Sequence, residues 1–213
     1  MTVTGKDTTT ELKPVSEKNI AAYGLPPIAW ERAVERLREE WRQQAPPEMD
    51  GVPEPHTHWL ATTRPDGRPH VVPIGAVWHD NRFYFSSGDG TRKSRNLAQN
   101  PNCAITLAAK GLDLVLEGKA TKVNDEAKLR RLAEVFASGG WAPTVRDGAF
   151  HHEFSAPSAG PPPWYVYEFT PHTVFGQATA EPYGATRWRL YPFRRKTSHQ
   201  NQKKEAKIAG ANK

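Results

Sequence analysis

Residues 82–101 read RFYFSSGDGTRKSRNLAQNP, and their order of strand, glycine turn and helix decides the fold. Phe83-Tyr84-Phe85 has high sheet preference. Gly88 and Gly90 permit a sharp turn. Ser87 or Thr91 supplies the hydroxyl that caps a helix start, and Arg92, Lys93 and Arg95 fall in that helix's first turn. The free N–H groups of a helix N-terminus carry partial positive charge, so three cations there weaken the helix. They are explained if an anion, most simply a phosphate, occupies the end of the turn. The alternative is a basic helix end facing water.

Two nucleotide motifs fail on spacing. A phosphate loop of the hydrolase type needs glycine directly before the lysine, and Arg92 stands there. A dinucleotide turn needs G-x-G-x-x-G, and Lys93 stands where the third glycine belongs.

Working outward, His58–Thr63 and His70–Trp78 read as two strands joined by Arg64-Pro65-Asp66-Gly67-Arg68, a strong turn signal. His79-Asp80-Asn81 turns the chain into the Arg82–Ser86 strand. After the basic helix, Asn102–Ala108 and Leu112–Lys122 give two more strands around Gly111. Five strands in one meander with a short inserted helix predict a small antiparallel barrel.

Several segments together resemble the pyridoxamine 5'-phosphate oxidase-like, flavin-binding split-barrel superfamily. They are Leu60-Ala61-Thr62, Asp66-Gly67-Arg68-Pro69-His70-Val71-Val72-Pro73, Phe83-Tyr84-Phe85, Thr91-Arg92-Lys93-Ser94-Arg95-Asn96-Leu97 and Asn100-Pro101. Trp164 to Pro171 and Val174-Phe175-Gly176 are similar to that family's last barrel strands. The likeness spans about residues 56–190. It implies a mainly β chain with peripheral helices: a six-stranded antiparallel split β-barrel of the FMN-binding type. It also implies a homodimer holding a flavin or deazaflavin at the subunit interface.

By the same resemblance, Thr91, Arg92, Lys93 and Asn96 hold the cofactor phosphate, with Ser87 and Arg95 beside them. Val72, Pro73 and Ile74 would pack one ring face. Arg187 and Trp188 would approach the partner subunit's pocket, and Trp78 would join Trp188 on the substrate side. The oxidase branch of the family carries an Arg and a Lys on the strand before F-Y-F. Here Val71–Trp78 carries neither. That absence argues against pyridoxamine 5'-phosphate oxidase itself. Lys93-x-Arg95-Asn96 is similar to the deazaflavin branch, whose cofactor is factor 420. The expected cofactor is therefore the factor 420 deazaflavin or FMN. The expected activity is an oxidoreductase moving hydride to or from a small organic substrate. The alternative is a non-catalytic module binding haem, biliverdin or flavin.

The 213 residues suit one domain with extended ends. Residues 1–25 lack an apolar pattern and are expected to be disordered, and residues 26–193 form the domain. Residues 194–213 form a basic tail of seven Lys or Arg and one Glu, while the remainder carries 22 basic and 22 acidic residues. The tail thus accounts for the pI near 9.5, and no basic face for nucleic acid is left elsewhere. Trp30, Val34, Leu37 and Trp41 recur at helical spacing within Ile28–Gln43, expected to cover a barrel end. A second helix is expected at Glu126–Ser138, capped by Asn124 or Asp125 and stopped at Gly139-Gly140. Trp141–Pro163 reads as a long loop edging the cofactor cavity.

No nucleophilic triad is visible, so no catalytic side chain is assigned. Cys103 is the single cysteine and sits in a strand, which suits a small buried apolar role. His56-Thr57-His58 and His151-His152-Glu153 lack the further ligands of a recognisable metal site, so no metal is expected. No apolar stretch reaches membrane-spanning length and no signal sequence is evident, which points to the cytoplasm.

Overall fold

The computed structural model describes residues 12–42, 58–153 and 160–190. Its elements run β1 (Ser16–Asn19), α1 (Trp30–Arg42), β2 (His58–Thr63), β3 (Pro69–Ile74), β4 (Ala76–His79), β5 (Arg82–Ser87), α2 (Arg92–Gln99), β6 (Asn102–Ala109), β7 (Leu112–Lys122), α3 (Glu126–Ser138), β8 (Thr144–Arg146), β9 (Ala149–His151), β10 (Tyr165–Ala178) and β11 (Ala185–Arg189).

The antiparallel ladder β3-β2-β6-β7-β10-β5-β4 comes back on itself, because β3 runs into β4 through the single residue Gly75. The expected strand over residues 70–78 is therefore bent in two, with β3 pairing β2 and β4 pairing β5. Counted as one bent strand, β3 and β4 close a barrel of six strands, as the family resemblance implies. Period-two alternation aims one face of each strand inward. In β7, Leu112, Leu114, Leu116, Gly118 and Ala120 are buried, while Asp113, Val115, Glu117 and Lys119 are exposed. Phe83, Phe85, Ile105, Phe169 and Val174 complete that interior. Gly118 lets β7 and β10 close up: a Cβ there would lie 2.3 Å from the Thr170 carbonyl oxygen.

The hairpin turns obey local backbone chemistry. Asp80 and Asn81 both adopt positive φ (48° and 59°), as a two-residue turn matching strand twist requires. Helix α1 covers the barrel end at the β6–β7 turn. Trp30, Ala33 and Leu37 are buried there, and the Arg32 guanidinium donates to the carbonyls of Gly111 (2.8 Å) and Pro182 (3.0 Å).

Two expectations are corrected. Within the segment expected to be disordered, Ser16–Asn19 forms β1 and pairs with β11. All four residues are exposed, so main-chain hydrogen bonds and not an apolar face hold the strand. The long loop after α3 contains the β8–β9 hairpin, turned by Asp147 and Gly148 at positive φ. Phe150 and Trp141 from this segment pack edge-on against Phe136 of α3, with ring centroids 5.5 and 5.4 Å away. The segment is thus tied to α3 by an aromatic cluster. The basic tail and residues 154–159 lie outside the described residues.

Candidate functional site

The turn after β5 is built from the barrel wall outward. Phe85 stacks on Tyr167 at 5.3 Å and 6° between planes, fixing the end of the strand. Ser87, Thr91 and Ser94 then form a small hydroxyl ring. Ser87 Oγ lies 2.8 Å from Thr91 Oγ1, Thr91 donates to Ser94 Oγ (3.0 Å), and Ser94 donates to Ser87 Oγ (2.9 Å). Thr91 caps α2, its hydroxyl oxygen accepting the Ser94 N–H at 3.3 Å. The acid of the turn, Asp89, is held by Lys122, whose ammonium also lies 3.8 Å above the Tyr165 ring. The Arg92 and Lys93 backbone N–H groups, first in the helix, have no acceptor among the described residues.

The cations lie where the sequence predicts, and Lys93 shows why they matter. Its side chain is only 7% exposed and makes no hydrogen bond or ion pair among the described residues. Burial without a partner holds its ammonium below the usual lysine range. Arg92 and Arg95 are exposed on the same helix. Asn96 is buried, its amide donating to Thr62 Oγ1 on β2 at 2.9 Å, while its own Oδ1 is buried without a donor. Thr62 also donates to the His70 carbonyl of β3 (3.3 Å), so the β2–β3 hairpin leans on the start of α2. Burial, then the charges of Arg64, Arg92 and Lys93, push the His70 imidazole below its ordinary range. Thr62 further lines a cavity of about 350 Å³ between the outer ends of β2, β6 and β7, with Ala61, Cys103, Gly118 and His172.

An unpaired buried ammonium, two open backbone N–H groups and neighbouring cations, with the turn's one acid Asp89 held by Lys122, form an arrangement that can accept an oxyanion such as phosphate. Thr91, Arg92, Lys93 and Asn96 are therefore brought together. Ser87 and Thr91 act chiefly on each other and on the helix start.

The other expected site residues fall elsewhere. Strand alternation sends His70, Val72 and Ile74 to one face, opposite Thr62, Leu60 and His58, and turns Pro73 to the other. Val72, Pro73 and Ile74 thus do not share one ring-packing wall. Trp188 is 0% exposed; it packs edge-on against Trp30 at 5.4 Å and donates to Glu17 at 3.0 Å. Trp78 is buried against Phe83 at 4.9 Å. Both tryptophans are core. Arg187 pairs with Phe175, ten residues along β10 from Tyr165, which pairs with Ser87. At about 3.3 Å per residue the two ends are roughly 30 Å apart, so Arg187 does not join the turn within one chain.

Arg64 is the residue that sequence reading passes over. A cation at a hairpin mouth looks like surface charge until the hairpin is placed against α2. Burial pushes the Cys103 thiol up to about 12, which disfavours the thiolate that a nucleophile needs. Among the described residues no cluster of three metal-ligating side chains exists; His56 and Thr57 lie outside them. No described helix is long and apolar enough to cross a membrane.

Comparison with known proteins bears on this geometry. The pyridoxine/pyridoxamine 5'-phosphate oxidase of Burkholderia multivorans is 28% identical over 174 residues, covering 66% of this chain and 81% of that protein. The enzyme of the same name from Burkholderia thailandensis is 30% identical over 142 residues, 58% of this chain and 66% of that one. Among solved structures, a NimC/NimA family protein from Clostridium acetobutylicum aligns over 76% of this chain and 94% of its own at 20% identity. Its TM-score of 0.47 is too low to support a conclusion. The family model described as pyridoxamine 5'-phosphate oxidase matches residues 45–178, well over half of the sequence. The chain belongs to the pyridoxamine 5'-phosphate oxidase family.

Proposed function

We propose that this protein is a cytoplasmic oxidoreductase that binds the phosphate of a flavin or deazaflavin at the start of α2 and passes hydride to or from a small organic substrate. The observation that carries this reading is Lys93, an ammonium 7% exposed and without a partner at a helix N-terminus. Arg92 and the open N–H groups of the first turn would hold the same phosphate. The buried, donor-less Oδ1 of Asn96 accepts from a ligand hydroxyl or a bound water. When bound, the tricyclic ring supplies the hydride chemistry. The protein's own residues bind, orient and exclude water.

Factor 420 is the preferred cofactor in this reading. The strand from Pro69 to His79 has no lysine or arginine, so FMN meets fewer cations than in the oxidase branch. Exposed Arg95 is available to the longer anionic tail of the deazaflavin. Arg68, a second candidate for that tail, is already bound by Asp66 through two N–H groups at 3.0 and 2.7 Å. Exposed ion pairs contribute about 0–1 kcal/mol, so the preference is modest and fades with salt.

The working unit is a homodimer. Strand register sets Pro73, Trp59, Thr106, Val115, Phe175 and Arg187 in one row across the outer face. Trp59 is 46% exposed and Val71 and Val115 are exposed beside it, an apolar stripe that a second copy covers. In a dimer Arg187 reaches a neighbouring site that it cannot reach in its own chain.

The test is the absorption spectrum of the purified protein, followed by titration with FMN and with factor 420 at low and high salt. Saturable binding of either supports the reading. A Soret band with no response to either cofactor overturns it in favour of a tetrapyrrole carrier.

A further inference from the structure

The β2–β3 hairpin carries two arginines and one aspartate, and they divide unequally. Asp66 accepts two N–H groups of the Arg68 guanidinium and also the Arg68 backbone N–H, at 3.1 Å. Arg64, at the other side of the same turn, has no such partner. Its main chain is fixed: Arg64 N–H donates to the Arg68 carbonyl and its carbonyl accepts from Gly67, both at 2.9 Å. Its side chain is half-buried, and Nε is fully buried with no acceptor among the described residues. A guanidinium is always charged, so a buried unpaired Nε–H costs free energy unless something accepts it.

The hairpin that carries Arg64 is hydrogen-bonded to α2, the Asn96 amide donating to Thr62 Oγ1 at 2.9 Å. Arg64, Arg92 and Lys93 all act electrostatically on the one imidazole of His70, whose chain is tied through Thr62 to Asn96. His70 thus lies in the field of three cations from two elements, and the carboxylates of the two turns, Asp66 and Asp89, are held by Arg68 and Lys122, with Asp66 also in the field of Arg64. Like charges gathered in this way attract an anion. Two of the cations come from the helix; the third comes from the hairpin.

We propose that Arg64 is a phosphate ligand of the α2 site, supplying from the hairpin mouth a charge that the Pro69–His79 strand does not provide. The inference rests on the α2 turn being an anion site, as proposed above. Arg64 acts as a point of recognition for the phosphate and makes no contact with the redox ring. Its planar fork suits two phosphate oxygens at once, which a lysine does not reproduce. The site therefore selects phosphorylated cofactors over their unphosphorylated chromophores through residues on both sides of the cleft.

The test uses the full chain, inorganic pyrophosphate as probe, and FMN against riboflavin as a pair differing in phosphate. Wild type, Arg64→Gln, Arg64→Lys and Lys93→Met are compared. Pyrophosphate is expected to raise the melting temperature of wild type above a chloride control of equal ionic strength, and Arg64→Gln to lose most of that rise. Arg64→Gln is expected to weaken FMN about tenfold and leave riboflavin unchanged, with Arg64→Lys between it and wild type. An Arg64→Gln protein that keeps the full pyrophosphate response and FMN affinity, while Lys93→Met loses both, overturns the role of Arg64 and leaves the α2 site standing. A wild type with no pyrophosphate response overturns the inference as well. A pyrophosphate response that depends on Arg64, with no binding of FMN or factor 420, upholds the anion site and refutes the cofactor reading instead.

Discussion

Replacing Lys93 with methionine is expected to stabilise the empty protein while crippling its site. The two side chains are similar in length, and the Lys93 stem is buried with Ser94, Asn96 and Leu97. What methionine removes is an ammonium that burial holds below its usual titration range. The sign follows from linkage. A lysine whose folded pKa lies below its unfolded value destabilises the fold at every pH under the folded pKa, neutral pH included. That penalty fades only as pH rises toward 10.5. Removing it is expected to stabilise the empty protein by about 1 kcal/mol, within the range of mutations that relieve functional strain. For a domain of this size that is a rise of roughly 2–4 °C in melting temperature.

With ligand the sign reverses. Losing a charge-assisted contact to phosphate costs about 1.5–3 kcal/mol, or roughly ten- to hundredfold in affinity. Thermal melts of wild type and Lys93→Met, each with and without saturating FMN or factor 420, read both effects in one experiment. The curves should cross: the variant melts higher when empty and lower when loaded. A variant that melts lower when empty and binds cofactor as tightly as wild type refutes the reasoning, because Lys93 is then a structural lysine.

Other consequences are equally direct. Burial first, and then the charges of Arg64, Arg92 and Lys93, depress the protonation of His70, and a bound anion relieves the charge part, so anion binding and protonation reinforce each other. The FMN affinity of wild type relative to His70→Gln should therefore rise as pH falls from about 7.5 to 5.5. The ratio cancels the phosphate's own ionisation, and a flat ratio rules the coupling out. Gly118→Ala places a methyl 2.3 Å from the Thr170 carbonyl oxygen and 2.6 Å from the Phe169 ring. It should cost about 1–3 kcal/mol in urea unfolding, and a loss under about 0.5 kcal/mol contradicts the close β7–β10 approach. Trp59→Arg charges the centre of the outer apolar row and should halve the mass seen by light scattering; a variant of unchanged mass removes that face from the dimer proposal.

The sequence carries the barrel well because its signals are local. Alternation in Leu112–Lys122, the Pro65-Asp66-Gly67 turn and the Asp80-Asn81 turn each act within a few residues. Together they leave a small antiparallel barrel with a five-strand meander as the consistent solution, and the family resemblance implies the sixth strand. The helix start at Thr91 is legible for the same reason. What escapes is non-local. Ser16–Asn19 has no apolar face, and only the backbone of β11 makes it a strand. Trp188 reads as a candidate for the site until β11 lies against α1 and Trp30 closes over it. Pro73 sits between Val72 and Ile74 in sequence, but strand periodicity sends it to the other face. The Asp147-Gly148 hairpin was signalled by a D-G pair and masked by the proline-rich stretch after it. Arg64 is hardest to foresee, since its meaning depends on the β2–β3 hairpin meeting α2.

The central claim is that the start of α2 holds a cofactor phosphate. The most direct measurement is a parallel fluorescence titration of the full chain with FMN, riboflavin and factor 420 at low salt. FMN is expected to bind at least about tenfold more tightly than riboflavin, as a single charge-assisted phosphate contact requires, with factor 420 tighter still. Equal affinity for FMN and riboflavin contradicts a phosphate at Lys93, whatever cofactor the protein carries.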